Sequence, residues 1–329
     1  MEPTVLFLGG TGTISAACVR ESVALGHRVT VLNRGRSAGL RPLPDGVELL
    51  EADLDDRAGL ASVLAGREFD AVADFMSFTT DRLRANTDLL AGRVGQYVFI
   101  SSASAYAKPV PSLPIRESSP LRNPFWQYSR DKIACEELLT GLFRTDGYPV
   151  TIVRPSHTYD EFRVPLDGGW TQLARLRDGH PLVIHGDGTS LWTLTHASDF
   201  AYSFAGLIGQ PAAVGESYHI TGDEVLTWDA IAGLLARAAG VPEPMIVHVA
   251  SDTIARVIPS MGPGLLGDKA HSVVFDNTKV RALRPGFVQR VPFASGARRI
   301  VAAFDAHAEL RQVDPVLAAG FDRLIDLAA

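Results

Sequence analysis

The chain opens with a pattern that leaves few folds available. An apolar run, Val5-Leu6-Phe7-Leu8, breaks into Gly9-Gly10-Thr11-Gly12-Thr13-Ile14-Ser15. A helical pattern over residues 13–25 then leads to a second apolar run, Arg28-Val29-Thr30-Val31-Leu32. Strand, glycine turn, helix and strand within about 30 residues is the length of a βαβ unit. Parallel strands joined this way are buried on both faces, so the rest of the chain must supply helices for both sides. Further strand candidates at 47–50, 71–75, 97–100 and 150–153 alternate with helical segments. The expectation is an α/β protein with a doubly wound parallel sheet.

The glycine turn also carries chemistry. Glycine permits positive φ and a close approach of the main chain to a pyrophosphate, and the helix that follows offers free N–H groups and the positive end of its dipole. Gly9, Thr11, Gly12, Thr13 and Ile14 are therefore candidates for binding a dinucleotide in a Rossmann-type fold. Ser15 fills the third glycine position and is small enough for helix–sheet packing. The second strand ends in Leu32-Asn33-Arg34-Gly35-Arg36. An acidic residue there would favour NAD, whereas arginines accommodate a 2′-phosphate. Asn33, Arg34 and Arg36 thus favour NADP over NAD without excluding NAD. Asp53 and Leu54, after the third strand, and Phe75, at the end of the fourth, are candidates for the same cofactor.

Residues 1–155 are expected to form the dinucleotide-binding domain. Beyond Pro155 the texture changes, with Gly- and Pro-rich stretches at 165–170, 181–189 and 259–269 that read as loops. Helix candidates lie at 170–177, 198–208, 228–239 and 296–306, and Leu317, Phe321, Leu324 and Ile325 share a helical face near the end. Residues 156–329 are expected to form mainly a smaller substrate-binding lobe, with 186–210 returning to the first domain.

A net charge of −6 argues against a general nucleic-acid binder, which needs surplus Lys and Arg to displace counterions. Two cysteines, Cys18 and Cys135, exclude a disulfide framework and a Cys-rich zinc site, and fit a cytoplasmic setting. The nine histidines show no metal-ligand spacing, so no metal is expected. No apolar run approaches the roughly 20 residues of a membrane span, and Met1-Glu2-Pro3-Thr4 does not read as a signal peptide.

Tyr128 and Lys132 stand four apart, on one face of a helix, about 26 residues beyond a strand that ends in Ser101-Ser102. An ammonium near a phenol lowers its pKa, and a Ser hydroxyl at a neighbouring strand end can hold a substrate oxygen. With Gly9-x-x-Gly12, Ser101-Ser102-Ala103-Ser104-Ala105-Tyr106, Arg154-Pro155 and Gly186-Asp187-Gly188 followed by His196 and Asp199, the chain resembles the extended short-chain dehydrogenase/reductase family, also called the NAD-dependent epimerase/dehydratase family. The resemblance implies that Tyr128 is the catalytic acid/base, that Lys132 binds the nicotinamide ribose, that Ser102 positions the reacting oxygen and that Pro155 borders the nicotinamide. It places His157 where relatives carry a substrate-touching Asn. It implies hydride chemistry on a secondary hydroxyl or ketone of a sugar-like or nucleoside-like molecule, by transient oxidation leading to epimerisation or dehydration. The alternatives are a plain NADPH-dependent ketone reductase and a non-catalytic relative that senses cofactor or binds RNA. It also suggests a homodimer through helices beginning near Asp81 and Tyr128.

The substrate side departs from the pattern. Relatives that dehydrate nucleotide sugars carry an acidic pair where this chain has Ala103 and Ser104, so elimination would need another base, such as His157 or Tyr106. Ser104, Tyr106, His157, Trp192, Lys269 and His271 are the candidate substrate residues. Where relatives place an Arg against the substrate diphosphate this chain has Trp192, which carries no charge but can cover a flat ring or sugar face. The expected substrate is a small molecule other than a nucleoside-diphosphate sugar.

Overall fold

The structure is a computed structural model and describes residues 2–35, 39–284 and 288–328. Strands β1 (Thr4–Leu8), β2 (Arg28–Asn33), β3 (Glu48–Glu51), β4 (Ala71–Asp74), β5 (Tyr97–Ile100) and β6 (Val150–Pro155) alternate with helices α1 (Ser15–Ala24), α2 (Arg57–Val63), α3 (Thr80–Leu90) and α4 (Gln127–Asp146). Later come β7 (His157–Tyr159), α5 (Trp170–Arg177), β8 (Leu182–His185), β9 (Leu191–His196), α6 (Ala197–Ala205), β10 (Ser217–Ile220), β11 (Val225–Thr227), α7 (Trp228–Ala238) and β12 (Ile246–Val249).

The main sheet has seven strands in the order β3-β2-β1-β4-β5-β6-β10, parallel throughout. It is a Rossmann-type doubly wound sheet. The period-two alternation of β1 shows why both faces are covered. Val5 and Phe7 join Phe200 and Phe204 of α6 and Ala17 of α1 in one buried cluster. Leu6 and Leu8 join Leu60, Leu83 and Leu139 of α2, α3 and α4 in another. The winding reverses between β1 and β4, and a crevice opens there, outside the carboxyl ends of the strands.

The remaining strands form a three-stranded sheet, β11-β9-β7, and a parallel pair, β12-β8. Trp192, Trp228, Leu235, Phe293 and Phe304 fill the core of this second lobe. Residues 181–189, expected as a loop, contain β8. Its Leu182, Val183 and Ile184 are buried, a pattern that the flanking Pro181 and Gly186 conceal in the sequence. Residues 259–269 are likewise not simply a loop: a helical turn at Gly262–Gly264 runs into a π-turn at Leu265–Lys269. Residues 273–275 make only an isolated bridge, Ile115 to Phe275. The chain rejoins the main sheet through α6 and β10, at 197–220, whereas β9 belongs to the second lobe. Among the described residues no helix is long and apolar enough to cross a membrane.

Candidate active site

A cleft of about 870 Å³ runs from the glycine turn after β1 to the second lobe. At one end Gly9 has φ of 80°, and a Cβ there would stand 2.7 Å from the Met76 side chain. A Cβ at Gly10 would meet Val31 at 2.7 Å. The turn therefore requires glycine for conformation and for space, and it leaves bare main chain facing the cleft. Gly12 N donates to Ser15 Oγ at 2.9 Å, which fixes the entry into α1. Ala16 N and Cys18 N already donate to the Gly12 and Ile14 carbonyl oxygens, which leaves the N–H groups of Thr13, Ile14 and Ser15 to suit a phosphate. Thr11, Thr13, Ile14, Asn33, Arg34, Asp53, Leu54 and Phe75 all line this end. Asn33 Oδ1 accepts from Gly35 N at 2.7 Å, while Arg34 is exposed. Arg36 lies outside the described residues. Asp53 does not cap α2; Asp56 does, accepting from Gly59 N. The donor set and the space fit a dinucleotide.

Tyr128 and Lys132 occupy consecutive turns of α4, and Ser102 stands just beyond β5. Lys132 is 2% exposed, and its Nζ donates to the carbonyl oxygens of Ile100 at 2.7 Å and Ser77 at 2.8 Å. It also lies 4.6 Å from the Phe78 ring centre and 4.7 Å from that of Phe99. Burial lowers its pKa to about 8, against the pull of Asp74, Cys135 and Glu136. The Tyr128 ring packs on Trp126, with centres 5.0 Å apart. Its phenol is not held low, contrary to the sequence expectation. Burial raises its pKa; a hydrogen bond from Ser102 and the charge of Arg163 oppose the rise, and Asp268 adds to it. Lys132 Nζ is 5.9 Å from the Tyr128 ring centre and spends donors on main-chain carbonyls instead.

The substrate side departs further from the sequence reading. Ser104 is 3% exposed; its hydroxyl accepts from Ser129 Oγ at 2.8 Å and pairs with Ser102 Oγ at 2.9 Å. It borders the cleft from behind Ser102. Tyr106 does not reach the cleft. It is 1% exposed, its hydroxyl lies 3.0 Å from His219 Nδ1, and Arg154 Nη1 donates to it at 3.1 Å. Burial raises its pKa, so it is no base. His271 also turns away, with Nε2 held 3.0 Å from the Leu266 carbonyl oxygen. Trp192 borders the cleft but is 1% exposed and wedged against Trp228, so its face cannot cover a substrate ring. Its indole N–H instead donates to His157 Nδ1 at 3.0 Å.

Pro155, His157 and Lys269 line the cleft. The Lys269 carbonyl oxygen accepts from Trp228 Nε1 at 3.2 Å and lies 3.0 Å from His185 Nε2. Its Nζ pairs with Asp167 at 3.2 Å. Asp268, Arg163, Trp126 and Phe78 line the cleft as well. Sequence reading passed over Asp268 although it adjoins Lys269; the π-turn brings both to the wall. The wholly buried Lys108 holds Asp268 at 3.0 Å. Among the described residues no cluster of three or more His, Cys, Asp or Glu could hold a metal ion.

Comparison with known proteins agrees with this geometry. The model of the NAD dependent epimerase/dehydratase family matches residues 5–221. The chain is 29% identical over 258 residues to the chloroplast stem-loop binding protein of 41 kDa b of Arabidopsis thaliana, covering 75% of this chain and 66% of that one. It is 29% identical over 243 residues to 2'-dehydrokanamycin reductase of Streptomyces kanamyceticus, covering 72% of this chain and 67% of that one. The chain thus spans about two thirds of the length of both relatives. Its fold is similar to that of a dTDP-glucose 4,6-dehydratase from Streptomyces venezuelae solved with NAD bound. That match has a TM-score of 0.73 and 23% identity, and covers 95% of this chain and 99% of that one.

Proposed function

Because the chain belongs to the NAD dependent epimerase/dehydratase family, we propose that it transfers a hydride between a nicotinamide dinucleotide and a secondary alcohol or ketone of a sugar-like molecule. The observation that carries this reading is the convergence of Ser102, Tyr128 and Lys132 on a cleft that begins at the glycine turn. A bound dinucleotide supplies or accepts the hydride. Tyr128 gives the proton to the carbonyl oxygen in reduction and takes it from the hydroxyl in oxidation. Ser102, which accepts from Ser104 N at 3.2 Å, donates its own O–H toward the reacting oxygen. Lys132 ties α4 to β5 and keeps an ammonium at the cleft wall.

The net reaction follows from which groups can move a proton. Elimination needs a base besides Tyr128. Tyr106 is sealed in the core, Ser104 is spent on its neighbours, and the Asp268 carboxylate is engaged by Lys108. Burial keeps the Tyr128 phenol protonated at neutral pH, the form that delivers a proton to a ketone. Net ketone reduction is therefore the reading the geometry supports best, and the relative named as a reductase supports it too. Epimerisation by return of the hydride to the opposite face needs only Tyr128 and is the second reading.

Arg34, exposed at the adenine end with no acidic partner on the strand, supports NADP over NAD. On the substrate side Arg175 is taken by Asp322 at 2.5 Å and stands off the cleft, and Trp192 has no charge. The uncharged Trp192 supports a substrate other than a nucleoside-diphosphate sugar, whereas Arg163, a guanidinium on the cleft wall, supports a ligand with an anionic group. The buried, unpaired thiols of Cys18 and Cys135 support a reducing, cytoplasmic setting. A homodimer through α3 and α4 rests on family analogy. The stem-loop binding named for one relative is opposed here by the net charge of −6.

The test is nicotinamide absorbance with NADPH and NADH against a panel of keto-sugars, keto-glycosides and nucleotide sugars, beside a gel shift with stem-loop RNA. Consumption of NADPH by an uncharged ketone supports the reading. Retained cofactor with interconversion of epimers would replace net reduction by epimerisation. Salt-resistant RNA binding without turnover would overturn the enzyme reading.

A further inference from the structure

The His157 imidazole stands on β7 at the second-lobe end of the cleft, enclosed on one side by two indoles. Trp192, on β9, meets it edge-on, with ring centres 6.0 Å apart, and donates its N–H to Nδ1 at 3.0 Å. Trp228, on α7, lies 6.2 Å away and is itself fully buried. The His157 Nε2 has no hydrogen-bond partner among the described residues, and the half-buried residue lines the cleft. The charged groups that act on it are Arg163 and Lys269, both on the cleft wall; Lys269 pairs with Asp167, and Asp268, held by Lys108, lines the same cleft.

We infer that Trp192 is a positioning residue that fixes His157 as the neutral Nε2–H tautomer, so that His157 donates a hydrogen bond to an oxygen of the substrate and does not act as a base. This deepens the function proposed above and rests on it for the identity of the ligand. A neutral imidazole has one N–H and one acceptor nitrogen. Trp192 offers only a donor, and at 1% exposure it has no solvent to turn to. The Nδ1–H tautomer would set two N–H groups against each other and orphan a buried donor. That penalty biases the tautomers by about tenfold or more. Protonating the ring would do the same, and would add a cation beside Arg163 and Lys269. Burial and those two cations both hold the imidazole neutral.

The consequence is a choice of substrate. A hydroxyl, ether or carbonyl oxygen of the substrate that reaches this end of the cleft can accept from Nε2–H. An ammonium there would face an N–H and two cations. The site therefore takes ligands that are oxygenated at that position and discriminates against their amino counterparts.

The experiment is NMR of the imidazole nitrogens in histidine-labelled full-length protein, with the His157 signal identified by its loss in His157→Gln. The expected wild-type result is one Nε2–H tautomer that does not titrate between about pH 5.5 and 8.5, where a free His would. Trp192→Phe, which keeps a ring and removes the donor, is expected to yield a tautomer mixture. An Nδ1–H wild-type tautomer, titration within that range, or an unchanged tautomer in Trp192→Phe would overturn the inference. These readouts need no substrate, so they can fail or succeed independently of the function proposed above. On any ketone found to turn over, His157→Leu is expected to raise KM about tenfold with a smaller change in kcat, and His157→Gln, which keeps an amide donor, to recover much of it. Recovery by Leu as full as by Gln would also overturn it.

Discussion

Lys132 Nζ donates to the Ile100 carbonyl oxygen at 2.7 Å, which locks helix α4 to the end of strand β5 two residues before Ser102. The bond joins the element that carries Tyr128 to the element that carries Ser102. It is made by a buried ammonium, whose pKa burial has lowered to about 8.

That burial has a cost in stability. The unfolded lysine holds its proton to higher pH than the folded one, so folding is disfavoured below the folded pKa and stability rises as pH increases from about 8 toward 10.5. Lys132→Met removes this penalty but leaves the Ser77 and Ile100 carbonyls without their donor, a loss of about 1–3 kcal/mol each. The two effects oppose each other. Thermal denaturation of the variant is expected within a few degrees of wild type, while turnover falls by about a hundredfold or more. Collapse of the fold in Lys132→Met would show that the lysine is chiefly structural.

Arg34→Ala is expected to weaken NADPH about tenfold or more while changing NADH little, because a charge-assisted contact to a 2′-phosphate is worth roughly 1.5–3 kcal/mol. Fluorescence titration of both cofactors measures it. Equal losses would mean that the guanidinium serves the adenine alone.

For the proposed reaction, the raised phenol of Tyr128 predicts different pH profiles in the two directions. Reduction uses the protonated phenol and is expected to stay flat across neutral pH. Oxidation uses the phenolate and is expected to rise with pH, by close to tenfold per unit below the pKa. Stopped-flow rates in both directions check this. An oxidation rate that levels off below neutral pH would contradict the raised phenol.

Much of this was legible in the sequence where one signal served both folding and chemistry. Gly9 marks a turn because the main chain needs positive φ, and the same bare backbone faces the cleft. Tyr128 and Lys132 share a face because the helical repeat puts them there. Residues that depend on tertiary contacts were hidden. Tyr106 follows Ser102 closely in sequence, but the turn at Ala103–Ala105 sends its ring into the core against His219 and Arg154. The π-turn at Leu265–Lys269 brings Asp268 and Lys269 to the wall and leaves His271 bonded to Leu266, a geometry with no periodic trace. Strand β10 is four residues long and pairs with β6 from far along the chain, so the end of the main sheet could not be read locally.

In the proposed reaction Tyr128 completes a hydride transfer between a nicotinamide dinucleotide and a small ketone. The most direct measurement is isotope tracing. Purified protein is incubated with deuterium-labelled NADPH and a small-molecule extract, beside Tyr128→Phe, and mass spectrometry follows the label. The expected result is deuterium in a product one hydride and one proton heavier than its ketone precursor, at least a hundredfold reduced in the variant, with cofactor affinity changed no more than a few-fold. Label that stays in the dinucleotide while cofactor binds normally, or equal transfer by Tyr128→Phe, would contradict it.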